Sequence, residues 1–104
     1  VIENSTIIPK DIELYQNYPN PFNPTTKIRF SIPSLSSQHG LSGDLIRLLV
    51  YDVQGKEVQT LVNESLKPGT YEVTFDGSHL TSGVYFCKLQ TGSFISVKRM
   101  VLLK

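Results

Sequence analysis

The sequence predicts an all-β fold, an antiparallel β-sandwich of about seven strands. Three observations predict it. Apolar residues recur at every second position through most of the chain, the period of a half-buried strand. Turn signals (Gln54-Gly55, Pro68-Gly69, Asp76-Gly77, Thr91-Gly92) interrupt that alternation roughly every ten residues, as in sandwiches of short strands. The 104 residues are one domain's length, and 39% are apolar, enough for a single modest core.

Residues 1–10 are polar with Pro9 near their end, and read as a linker ahead of a domain over residues 11–104. With no methionine at its start, the chain reads as cut from a longer one; if it carries a cleavage point, the linker is the flexible place for it. Ile12, Leu14 and Gln16 then alternate with Asp11, Glu13 and Tyr15 in a first short strand. Tyr18-Pro19-Asn20-Pro21-Phe22-Asn23-Pro24-Thr25-Thr26 follows, with three of the six prolines. Each proline fixes φ, removes a backbone donor and pushes the preceding residue towards extended backbone. This run is therefore neither helix nor central strand but a stiff corner. It feeds a second strand with Ile28, Phe30 and Ile32 on one face and Lys27, Arg29 and Ser31 on the other, ended by Pro33. Residues 34–43 form a Ser/Gly loop.

Residues 45–53 are the most apolar run. Ile46, Leu48 and Val50 share one side and Leu45, Leu49 and Tyr51 the other, as in a central strand covered at least partly on both faces. Gln54-Gly55 turns the chain into residues 56–63 as a hairpin. Val58, Leu61, Val62 and Leu66 also fit a helical period, but that segment is marginal in length for a lone helix. Tyr71, Val73 and Phe75 point inward from the next strand. Gly83 opens residues 84–89, where the lone Cys87 excludes an internal disulfide and reads as a small buried hydrophobe. Residues 94–103 run to the end. There Ile95, Val97, Val101 and Leu103 are expected inward and Lys98, Met100, Leu102 and Lys104 opposite. Met100 and Leu102 would then be an exposed apolar docking pair or a pair covered by a loop.

The chemistry-bearing residues form no catalytic pattern. His39 and His79 stand in loops without the Cys/His spacing of a zinc site. Ser78-His79 and Ser37-Gln38-His39 are sequence neighbours, which gives no triad geometry, and neither a nucleophile elbow nor a phosphate loop occurs. Asp44, Asp52 and Asp76 could form a calcium cluster, but Asp52 and Asp76 suit turns, where a carboxylate accepts backbone N–H groups. The expectation is a non-enzyme without cofactor or metal. Net charge +1 and pI ≈ 8.0, with no basic stripe interleaved with aromatics, argue against nucleic acid. No apolar run approaches the ~20 residues of a membrane helix, so direct membrane insertion is not expected. The expected state is a monomer.

Five blocks taken together resemble one family. Leu14-Tyr15-Gln16-Asn17-Tyr18-Pro19-Asn20-Pro21-Phe22-Asn23-Pro24-Thr25-Thr26 is similar to the opening of C-terminal sorting domains, type A, of the bacterial type IX (Por) secretion system. Val50-Tyr51-Asp52-Val53-Gln54-Gly55-Lys56-Glu57-Val58, Pro68-Gly69-Thr70-Tyr71-Glu72-Val73, Leu80-Thr81-Ser82-Gly83-Val84-Tyr85-Phe86 and Lys98-Arg99-Met100-Val101-Leu102-Leu103-Lys104 follow in the family's order. The resemblance implies an Ig-like sandwich that serves as a secretion signal. Its upstream cargo passes through the periplasm and an outer-membrane translocon, with a shuttle protein and a sortase-like peptidase as partners, to be secreted or held at the cell surface. It further implies recognition through Pro68, Gly69, Tyr71, Gly83, Val84, Tyr85, Lys98, Met100, Val101, Leu102, Leu103 and Lys104. A fainter resemblance, to the Ig-like domain of flagellar hook-capping proteins, leaves residues 98–104 unexplained. The rival class is a passive Ig-like or fibronectin-like accessory module, structural or carbohydrate-binding. An exposed platform of Tyr15, Tyr18 or Phe22 would favour it.

Overall fold

Two antiparallel sheets of four strands each pack face to face in a computed structural model of the chain, which describes residues 2–5 (as backbone), 11–33, 45–92 and 94–104. In chain order the strands are β1 (Ile2–Ser5), β2 (Glu13–Leu14), β3 (Thr25–Ile32), β4 (Leu45–Tyr51), β5 (Glu57–Ser65), β6 (Gly69–Asp76), β7 (Gly83–Thr91) and β8 (Phe94–Leu102). One sheet has the order β1-β6-β3-β2 and the other β5-β4-β7-β8. The seven strands expected from alternation are β2 to β8. The eighth, β1, comes from the stretch read as a linker: Ile2–Ser5 runs antiparallel to β6, with Ile2 opposite Glu72. The loop assigned to residues 34–43, with His39, and Asp44 beyond it, lies outside the described residues.

Local chemistry explains the hairpin between β4 and β5. Asp52 Oδ1 accepts the N–H groups of Gln54 (2.9 Å) and Lys56 (3.0 Å), and Gly55 adopts φ 83°, a left-handed conformation that suits glycine. That turn commits Glu57–Ser65 to β5, so the helical period there goes unused. Asp76 works similarly. Its carboxylate accepts the Ser78 N–H at 2.9 Å, and the bonds from Ser78 hold its pKa below the ordinary value.

Alternation then builds the core. Ile28, Phe30 and Ile32 of β3, with Tyr71 and Phe75 of β6, face Ile46, Leu48, Val50, Tyr85, Cys87 and Leu89 of the other sheet. Phe30 and Tyr71 are cross-strand partners whose rings stack at 5.5 Å, and Phe22 meets Phe75 at 5.8 Å. Leu49 is buried as well, which fits β4 as a strand covered on both faces.

The last strand reverses the expected alternation. Met100 and Leu102 are fully buried, while Ile95, Val97 and Leu103 are 56%, 50% and 54% exposed. The register decides this: Tyr85 pairs with Met100 and Cys87 with Lys98, so the even-numbered residues of β8 share the inner face of β7. Both faces of β8 are apolar, and β-branched Ile95, Val97 and Val101 made the outer one look like the core side. An exposed Met100–Leu102 docking pair does not exist. Lys98, half-buried at the inner rim of an edge strand, instead sets a charge where another sheet would have to stack.

Cys87 is a buried hydrophobe as expected, and burial raises its thiol from the ordinary 9.0 to about 12. The thiolate form therefore favours the unfolded chain, and stability falls as pH rises from 9 towards 12. At pH 8 the native chain is expected to resist iodoacetamide and the denatured chain to take up one equivalent. Equal rates in the two states, followed by mass spectrometry, would contradict the burial.

Candidate functional site

The C-terminal strand is an edge strand, yet the last part of its free side is occupied by the chain's own proline corner. Phe22 donates its N–H to the Val101 carbonyl (2.9 Å) and accepts the Leu103 N–H (2.9 Å). Asn20 Oδ1 accepts the Val101 N–H (3.0 Å), and Gln16 Nε2 donates to the Arg99 carbonyl (2.7 Å). The corner thus supplies one short parallel bridge along residues 99–103, with the X-Pro bonds at Pro19, Pro21 and Pro24 in cis. A proline run suits this task because prolines cannot extend pairing further out.

The corner is itself fixed from below. Asn17 is only 3% exposed; its Nδ2 donates to Thr26 Oγ1 and the Pro19 carbonyl, both at 3.0 Å, and Thr26 Oγ1 donates to the same carbonyl at 2.8 Å. The Phe22 ring enters the core. Gly77 closes the arrangement: it donates its N–H to the Pro24 carbonyl at 2.8 Å, and a Cβ there would lie 3.1 Å from a Leu102 methyl and 3.4 Å from the Pro24 oxygen.

The chain end is tied down separately. Lys104 donates its backbone N–H to Ser82 Oγ (2.9 Å), and its ammonium donates to the carbonyls of Ser78 (2.7 Å) and Leu80 (2.8 Å). The final lysine thus clamps the β6–β7 loop.

Two glycine-tyrosine blocks repeat one device. In Lys67-Pro68-Gly69-Thr70-Tyr71 the Tyr71 hydroxyl donates to the Lys67 carbonyl at 2.6 Å, and in Thr81-Ser82-Gly83-Val84-Tyr85 the Tyr85 hydroxyl donates to the Thr81 carbonyl at 2.7 Å. Gly69 and Gly83 stand at φ 153° and 155° in the same relative place. Each block buries a ring while its hydroxyl bonds the backbone four residues upstream, a corner common in β-sandwiches. Gly83, Val84 and Tyr85 pair one for one with Leu102, Val101 and Met100, so these two predicted segments meet. Gly69 and Tyr71 begin β6 in the opposite sheet, with Pro68 just ahead of it. Gln16, Asn17, Asn20, Phe22, Gly77 and Ser82 complete the arrangement. The proline spacing marked the corner as special, but nothing in the sequence says which strand it covers.

The distinctive residues of this two-sheet module are spent on holding β8 against the proline corner and the β6–β7 loop. The chain belongs to the secretion system C-terminal sorting domain family, whose model matches residues 16–103. It is a C-terminal sorting signal for the type IX secretion of cargo proteins, and it implies interaction with that machinery and a secreted or cell-surface cargo. Domains of this family are typically non-catalytic. No curated protein matches the chain.

Proposed function

We propose that the export machinery reads this domain through the uncovered half of its C-terminal edge. On this reading the domain is a monomeric substrate and not a catalyst. It leads its cargo through the periplasm to an outer-membrane translocon and shuttle protein, where a sortase-like peptidase removes it. The observation that carries the reading is a contrast within β8. The side of the strand facing away from β7 is bonded at Arg99, Val101 and Leu103 by the corner, while at Ile95 and Val97 no described residue pairs with it. Those two side chains are exposed, and Arg99 and Lys98 supply positive charge beside them. A partner can therefore add an extended strand there through main-chain bonds and select it by alternate side chains. Among the family-implied residues, Met100, Leu102 and Tyr85 then act by holding the strand, Tyr71 acts on the opposite sheet, and Lys98, Val101, Leu103 and Lys104 border the docking edge.

The test is a reporter carrying this chain at its C-terminus in a host with the secretion system. Export of the unmodified fusion is expected. Val97→Pro removes an N–H that points away from β7, so it is expected to preserve the fold yet block strand addition and hold the reporter in the periplasm. Normal export of a folded Val97→Pro fusion would overturn edge recognition.

A further inference from the structure

The outer face of the other sheet carries a feature apart from the C-terminal edge. Tyr15 and Tyr18 are 38% and 81% exposed there, and both line an open groove of about 980 Å³ with Lys27, Arg29 and Glu72. Their shared direction is built into the backbone. Tyr15 donates its N–H to the Arg29 carbonyl, and Tyr18 exchanges both backbone bonds with Lys27. The tyrosines are three residues apart, whereas their partners are two apart. One extra residue is therefore accommodated opposite β3, in the manner of a bulge, and a bulge re-aims side chains. Strict alternation would send the two rings to opposite faces; here Asn17 turns inward and both rings stay outside.

The polar lining is equally specific. Lys27 Nζ and Arg29 Nη2 each lie 3.4 Å from the Glu72 carboxylate, so one acid holds two cations side by side. Both cations keep most of their exposure, 64% and 54% for the side chains, and the trio bears a net positive charge. Thr70 adds a hydroxyl that both donates and accepts, and Gln16, whose amide hydrogens go to Asn17 and Arg99, adds an acceptor oxygen.

We propose that this groove binds an acidic oligosaccharide, with sugar rings stacked on Tyr15 and Tyr18 and sugar carboxylates met by Lys27 and Arg29. A sugar presents flat C–H faces beside rows of hydroxyls. It therefore needs exposed ring faces flanked by side chains that give and take hydrogen bonds, and this groove has both. A proline-rich peptide would need a groove lined mainly by aromatics, whereas five of these seven lining residues are polar. The surplus cation selects carboxylate-bearing sugars over neutral ones, because a guanidinium offers a paired fork to a carboxylate. The site is distinct from the C-terminal edge and does not depend on the reading of that edge.

Calorimetric titration of the 104-residue chain with trigalacturonate tests the proposal. Saturable binding is expected, weakened about tenfold or more by Tyr18→Ala and by Arg29→Gln. Lys56→Gln, in the remote β4–β5 turn, is expected to bind as the unmodified chain does. Tyr18→Ala should melt with the unmodified chain, since its ring is exposed and its backbone bonds remain. Maltotriose, the neutral control, should bind at least about tenfold more weakly. The proposal is overturned by absence of saturable binding, by full affinity in Tyr18→Ala, by equal affinity for maltotriose, or by capture of a proline-rich peptide in place of the sugar.

Discussion

A chain truncated after Arg99 is expected to lose its cooperative fold and not merely its docking segment. The deletion removes Met100 and Leu102, both fully buried. Emptying one core site of this size costs about 2–5 kcal/mol. Two adjacent losses approach the whole stability of a small domain, about 5–15 kcal/mol. The deletion also strands the Phe22 backbone, whose N–H and C=O bond Val101 and Leu103, and it frees the β6–β7 loop that Lys104 clamps. Urea unfolding followed by circular dichroism should change from one sigmoidal transition to a shallow, non-cooperative one. A truncated chain with an unchanged midpoint would show that the last five residues lie outside the folding unit.

This outcome bears on how sorting is dissected. Loss of export on truncation would reflect an unfolded tag as readily as a missing contact. Substitutions on the outer face of β8 separate the two, because Ile95, Val97 and Leu103 are exposed and leave the core untouched. The same separation applies to Gly83 and Tyr85, which form a folding corner and brace Leu102 and Met100 from the neighbouring strand.

The fold was largely legible because its signals are local. Period-two alternation located β3, β4, β6 and β7, and the Asp52 and Gly55 turn chemistry resolved β5 against a helical period. What stayed hidden depends on pairing between distant segments. The register that turns Met100 and Leu102 inward comes from their partners Tyr85 and Gly83, whereas hydropathy alone favours the opposite face with Ile95, Val97, Val101 and Leu103. β1 is four residues with Ile2 as its one apolar residue, too short a run to show alternation, and its strand exists because β6 offers an edge. The site was legible in identity but not in use. Proline spacing marked the corner, yet its contacts with Arg99 and Val101 join residues 83 and 81 positions apart, and only the folded chain brings the two together.

Phe22→Ala is expected to produce the second large effect and to tell the corner from the rest of the core. The ring is buried against Phe75 and lies close to Gly77. Its removal should cost about 3–5 kcal/mol, with Phe22→Leu costing less because more of the volume stays filled. The loss should be uneven. Val101 and Leu103 point their N–H groups at Asn20 and Phe22, whereas the alternating residues Met100 and Leu102 point theirs at β7. In Phe22→Ala, amide hydrogen exchange should therefore accelerate first at Val101 and Leu103, while Met100 and Leu102 stay protected up to global unfolding. Equal acceleration at all four amides would mean that corner and strand open as one unit. Preferential opening would lengthen the free edge from residues 95–97 towards 95–103. The proline corner would then act as a cover that limits how much of the terminal strand a partner can reach, and its release would strengthen capture by any machinery that docks through strand addition.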